Sequence, residues 1–174
     1  MAQIMLKRTA WFVAFVLIWA VLAAAVAHSA TGNVVNFSGF APGTIVVKTS
    51  ERRLYYVIDN SRALRFPVGV GRQGKAWTGT ARVEGKFINP AWSPPREIRR
   101  DHPDLPRVIA GGAGNNPMGA AALTLRGGEY AIHGTNNPSS IGGFVSYGCI
   151  RMYNRDIREL YRMVDIGTPV IVER

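Results

Sequence analysis

Apolar positions along the chain fall into three patterns. From Thr9 to Ala27 the sequence TAWFVAFVLIWAVLAAAVA has no charged residue, follows Lys7 and Arg8, and gives way to small residues at Ala25, Ala27, Ser29 and Ala30. A positive start, an apolar run and an A-x-A triplet make a secretory leader, with cleavage expected after Ala27 and Ala30 as the second choice. The seventeen apolar residues from Trp11 to Ala27 also reach the lower limit for crossing a bilayer, so an uncleaved anchor is the alternative. Residues 28–42, rich in Gly, Ser and Asn, are expected to form a linker, and the domain to occupy 43–174.

Within that domain the second pattern dominates: short runs rich in β-branched and aromatic residues. TIVVKTS, RRLYYVID and ALRFPVGVG predict a meander of three strands, and TARVEGKF a further one. AALTLRGGEYAIHGT alternates around Gly127-Gly128 and predicts a hairpin whose second strand ends at His133. The third pattern comes late. Ile157, Leu160, Tyr161 and Val164 recur at helical spacing behind Asn154, a suitable N-cap, and predict a short amphipathic helix; TPVIVE then closes the domain as a strand. The fold expected is mainly β, with one short C-terminal helix and long loops.

Between Gly71 and Gly119 the chain carries six prolines and eight glycines, which excludes a long helix. A loop segment of that length in a compact domain is usually a lid or a binding surface. Trp77, Phe87, Ile88, Trp92 and Ile109 are its candidate apolar anchors.

Charge and cysteine content narrow the function. The formal net charge of +10 falls to +8 if the leader with Lys7 and Arg8 is removed. A basic exported protein meets anionic lipid and wall polymers, and its scattered arginines match no nucleic-acid-binding motif. His28, His102 and His133 lie too far apart for a metal-ligand cluster, no HExxH or CxxC is present, and His102 is expected in a solvated loop. Neither metal nor organic cofactor is expected.

The single cysteine, Cys149, cannot make an internal disulfide, so it packs, bridges to another chain or reacts. Its surroundings favour reaction. A thiol needs a base to supply thiolate near neutral pH, and His133, sixteen residues upstream at a strand end, is the candidate. Gly148 permits a tight backbone that would turn the amides of Tyr147, Gly148 and Cys149 toward a common point, as an oxyanion hole requires. The competing reading of these glycines is a plain surface turn.

IHGT, a spacer with Pro138, Gly142 and Gly143, then SYGCIRM and a helix together resemble the active-site signature of the YkuD (ErfK/YbiS/YcfS/YnhG) family of L,D-transpeptidases. The likeness runs from about Gly43 to Arg174. It implies a β-sandwich-like domain, Cys149 as the residue acylated by a peptidoglycan stem peptide, and His133 as general base and acid. It also implies that the Gly134 carbonyl orients the imidazole and that Arg151 either meets a substrate carboxylate or makes a structural ion pair. The family most often has histidine before the Gly-Cys pair, where this chain has Tyr147.

The reaction implied is attack on the third-residue carbonyl of a tetrapeptide stem with release of D-alanine. The thioester then passes to an amine of another stem or of a wall-anchored lipoprotein or outer-membrane protein. Hydrolysis of the thioester, or a wall-binding module without catalysis, are the alternatives. The implied location is the periplasm or the wall side of the plasma membrane, with membrane contact only through an uncleaved N-terminal segment.

Overall fold

The computed structural model describes residues 32–127 and 130–174; the expected leader lies outside them. Eleven strands and two α-helices are described, with a single 3-10 turn at Pro138–Ser140. They are β1 (Asn33–Asn36), β2 (Ile45–Lys48), β3 (Arg53–Val57), β4 (Arg62–Pro67), β5 (Val70–Gly71), β6 (Gly79–Ile88), α1 (Arg96–Asp101), β7 (Ala121–Leu125), β8 (Ala131–His133), β9 (Phe144–Ser146), β10 (Ile150–Arg151), α2 (Asn154–Met163) and β11 (Pro169–Glu173).

The expected meander is β2-β3-β4, and β11 lies parallel to β2 on its far side. Ten-residue β6 joins two half-sheets. Its first residues, Gly79 to Arg82, pair with β11, and its later residues, Val83 to Ile88, pair with β7. The register shifts between Val83 and Gly85, an irregularity that bends the strand and redirects the sheet. β7, β8 and β10 continue it, the last pair being parallel. One core closes between the halves: Ile45, Val47, Leu54 and Phe66 from the first, Leu123, Ile132 and Ile150 from the second, with Ile157 and Leu160 of α2.

Three expectations need revision. The stretch assigned to the linker includes β1, which pairs antiparallel with β4, and Val35, Phe37 and Phe40 cover the outer face of the meander against Val46, Tyr55, Val57 and Ala63. Phe37 stacks on Tyr55 with ring centroids 4.3 Å apart. The outer face carries apolar side chains of its own, so the chain before Gly43 is drawn in to exclude water from them. Phe87 and Ile88 are not anchors, since both stand about half exposed on β6 (50% and 55%). Asn154 is the first residue of α2 rather than its cap, which is Tyr153.

The proline-rich segment contains six-residue α1. Its neck is closed by Trp92 and Ile109, which exchange backbone hydrogen bonds of 2.9 and 2.8 Å, and by the buried Asn116 amide, which donates to the carbonyls of Pro90 and Ala110. Among the described residues no helix is long and apolar enough to cross a membrane.

Candidate active site

The β8/β10 register brings the two chemical residues together. Ile150 aligns with Ile132 and Arg151 with His133, so Cys149, one residue earlier, lies level with Ala131. Side chains alternate along strands, so Ile132 and Ile150 enter the core while Ala131, His133, Cys149 and Arg151 share the opposite face. There His133 is the diagonal neighbour of Cys149 and the direct neighbour of Arg151. Both edges of the nucleophile strand are held, because Arg151 also exchanges backbone hydrogen bonds of 2.8 and 2.9 Å with Gly69.

This face floors a cavity of about 230 Å³ lined by His133, Cys149, Arg151, Ser146 and Tyr147 on one side and by Trp92, Pro95, Ile98, Pro117 and Met118 on the other. The proline-rich segment therefore forms one of its walls. Asp101 at the end of α1 accepts a hydrogen bond from the Tyr147 hydroxyl (2.9 Å) and faces the Arg72 guanidinium (3.4 Å). Arg72 in turn lies 3.9 Å over the Tyr147 ring, and Glu97, one turn before Asp101, pairs with Lys75. A larger groove of about 760 Å³ beside Thr49, Arg72 and Phe144 has no thiol or imidazole in its lining.

His133 is buried, at 4% exposure. Its Nδ1 lies 2.7 Å from the Gly134 carbonyl, which can only accept, so Nδ1 carries the proton and the other ring nitrogen is the basic one in the neutral ring. Burial, reinforced by the Arg151 charge, pushes its pKa down to about 4 against the opposing pull of the Gly134 and Pro117 carbonyls. Burial likewise pushes the half-buried Cys149 thiol up, outweighing a backbone hydrogen bond from Ala131 and the charge of Arg151, which both lower it. The resting pair is thus neutral thiol and neutral imidazole near pH 7, and a proton must move as the sulfur attacks.

Two clamps fix the backbone around this pair. Asn154 Oδ1 accepts from the N–H groups of Ala120 and Thr135, both at 3.0 Å, and its Nδ2 donates to the Thr135 carbonyl at 3.0 Å. A Cβ on Gly134 would sit 2.2 Å from that Oδ1, so glycine is required beside the imidazole by packing. On the other strand, Ser146 Oγ accepts from the Gly148 N–H (3.1 Å) and donates to the Cys149 carbonyl (2.6 Å). Gly148 has φ +124°, the conformation expected of a tight glycine loop. Its amide, one of the three expected to converge, is engaged within the loop by Ser146.

Arg151 is half-buried, and burial lowers its pKa. Its Nε is buried without a hydrogen bond, and among the described residues no carboxylate stands at ion-pair distance from it. The sequence does not point to Asn154, Trp77 and Asp101, which act by contacts across 34, 71 and 46 positions that no local spacing reveals, nor to Ser146, which acts within its own loop through one hydroxyl. His102 is exposed, and no group of three potential metal-ligating side chains occurs among the described residues.

The description of the YkuD family, the L,D-transpeptidase catalytic domain, matches residues 42–172. The chain belongs to this L,D-transpeptidase catalytic-domain family. Over 135 residues it is 39% identical to the probable L,D-transpeptidase YbiS of Escherichia coli, covering 72% of this chain and 43% of that one. It is 37% identical over 133 residues to the putative L,D-transpeptidase YkuD of Bacillus subtilis, covering 76% of this chain and 67% of that one. The chain therefore spans less than half the length of YbiS. The fold is also similar to the catalytic domain of an Enterococcus faecium L,D-transpeptidase acylated by ertapenem, with a TM-score of 0.59, 20% identity, and coverage of 78% of this chain and all of that one (100%). The L,D-transpeptidase domain is thus mainly β here as in that structure, and the cavity over Cys149 lies within its matched residues.

Proposed function

We propose that the chain is an exported, cysteine-dependent L,D-transpeptidase acting on peptidoglycan stem peptides. The observation that carries this reading is the β8/β10 register, which sets Cys149 and His133 on one face of a single cavity. In the acylation step His133 accepts the thiol proton as Cys149 Sγ bonds to the carbonyl carbon of the third stem residue. The tetrahedral oxyanion is held by the amides of Tyr147 and Cys149. The carbon–nitrogen bond to D-alanine then breaks, and the imidazolium returns its proton to the leaving amine. An amine of a second stem, or of a wall-anchored protein, attacks the thioester with the same histidine as base and regenerates the thiol.

Arg151 has a guanidinium beside both reacting groups and no carboxylate of its own among the described residues, which supports its meeting a carboxylate of the stem. The formal charge of +8 without the leader suits a wall-facing location. The test is incubation of the purified protein with disaccharide-tetrapeptide, followed by mass spectrometry. A cross-linked dimer supports transpeptidation, tripeptide alone indicates hydrolysis, and no change indicates a binding module. Because an L,D-transpeptidase domain of this fold is acylated by ertapenem, intact-protein mass after exposure to that carbapenem is a second readout. An adduct is expected on the wild type and not on Cys149→Ala.

A further inference from the structure

We infer that Trp77 is a positioning residue that aims the Cys149 N–H at the oxyanion; this rests on the reading of Cys149 as the acylated nucleophile. Trp77 lies in the loop between β5 and β6, far from the catalytic strands in sequence. Its indole Nε1–H donates to the Gly148 carbonyl at 3.0 Å, and its ring stacks on Tyr130 with centroids 5.3 Å apart and planes 6° from parallel. The same Tyr130 ring walls in the nucleophile loop, since a Cβ on Gly148 would come within 2.2 Å of it.

The geometry of the peptide bond gives this contact its consequence. A trans peptide is a rigid plane with the carbonyl of one residue and the N–H of the next pointing in opposite directions. No cis peptide occurs among the described residues, so the Gly148 carbonyl and the Cys149 N–H are the two ends of one such plane. Ser146 Oγ holds the peptide before it, through the Gly148 N–H, and the peptide after it, through the Cys149 carbonyl. Trp77 holds the plane between them. Gly148, at φ +124°, is the residue whose backbone would otherwise turn most freely.

Loss of an oxyanion donor typically slows acyl transfer by about 10²–10³-fold, and a donor left in place but poorly aimed loses part of that. Trp77→Phe keeps the aromatic stack and removes the N–H. Two reactions of the same sulfur separate positioning from general damage. Acylation by ertapenem passes through a tetrahedral oxyanion, whereas alkylation by iodoacetamide displaces iodide at carbon and needs no oxyanion donor. Trp77→Phe is expected to slow single-turnover acylation by about 10- to 100-fold. Its alkylation rate should stay within about twofold of wild type, with the same pH dependence, because the thiol and its base are untouched.

Acylation at the wild-type rate overturns the inference, as does a parallel fall in both reactions. If Trp77→Phe unfolds, β-(3-benzothienyl)alanine at position 77, which has the indole's shape without its N–H, carries the same two expectations. A wild-type protein that ertapenem does not acylate, or a Cys149→Ala variant that it does, overturns the reading of Cys149 and this inference with it. A wild type acylated at Cys149 beside an equally fast Trp77→Phe overturns the inference alone.

Discussion

The Tyr147 hydroxyl donates to the Asp101 carboxylate at 2.9 Å, tying the residue two before the nucleophile to the end of a helix 46 positions upstream. That hydrogen bond is the largest of the influences that hold the Asp101 carboxyl below the usual range. A phenol committed to α1 is not aimed at a reacting carbonyl. In the proposed mechanism Tyr147 would therefore contribute its backbone N–H, while its side chain holds the end of α1.

The first prediction follows from that division. Tyr147→Phe should lose less than about tenfold in single-turnover acylation, because the backbone donor is independent of the side chain; loss of a true oxyanion donor would cost about 10²–10³-fold. A loss in the larger range with the fold preserved would assign the hydroxyl to the oxyanion instead.

The second concerns His133. A base must be neutral to accept a proton, and burial with the Arg151 charge holds its pKa at about 4 rather than 6.5. The acid limb of kcat/KM should accordingly fall near pH 4, with activity retained through pH 5 to 6. The alkaline side is governed by a thiol raised above 9.0. His133→Ala should slow acylation by roughly 10²–10⁴-fold, the range for a positioned general base, with circular dichroism unchanged. Stability carries the same signature: the unfolded chain takes up the histidine proton below 6.5 and the native state only near 4, so wild type should lose about 3 kcal/mol as pH falls through that window. His133→Gln should lose less across the same window.

The third isolates Arg151. Its charge lowers the pKa of both His133 and Cys149, favouring thiolate while opposing imidazolium. Arg151→Met should move the acid limb of the pH profile upward and push the alkylation midpoint of Cys149 higher still. If Arg151 also binds a stem carboxylate, KM for a tetrapeptide should rise more than for an ester analogue of the same peptide. Unmoved pH limbs would place the guanidinium outside the electrostatics of the pair.

How much of this was legible beforehand depended on the range of the interaction. The strands from Thr44 to Phe66, the hairpin ending at His133 and the helix after Tyr153 follow local periodicity, and the Cys149–His133 candidacy follows from a thiol needing a base. The diagonal placement of the two depends on parallel pairing of two short strands, which no spacing encodes. The covering of the outer sheet face by Val35, Phe37 and Phe40 was hidden because Gly, Ser and Asn around them carry the signature of a linker. Trp77, Asp101 and Ser146 act through single polar atoms, and a single polar atom leaves no periodic trace.

Asn154 is the clearest such case and gives the fourth prediction. At the start of a helix an asparagine is expected to cap its own backbone. Here Oδ1 instead takes the N–H groups of Ala120 and Thr135, and Nδ2 gives to the Thr135 carbonyl, so three backbone groups beside His133 and Gly134 depend on one amide. Asn154→Ala leaves all three without that partner, at about 1–3 kcal/mol for each buried group that water cannot reach. Asn154→Asp retains the acceptor for the two N–H groups but sets a carboxylate oxygen against the Thr135 carbonyl. The order of stability should therefore be wild type, then Asp, then Ala, if acceptance dominates, measured as urea midpoints. Activity supplies the second readout: because His133 rides on the clamped segment, kcat/KM in both variants should fall while iodoacetamide still alkylates Cys149. An Asn154→Ala protein with unaltered midpoint and turnover would show that the helix, not this amide, holds the histidine strand in place.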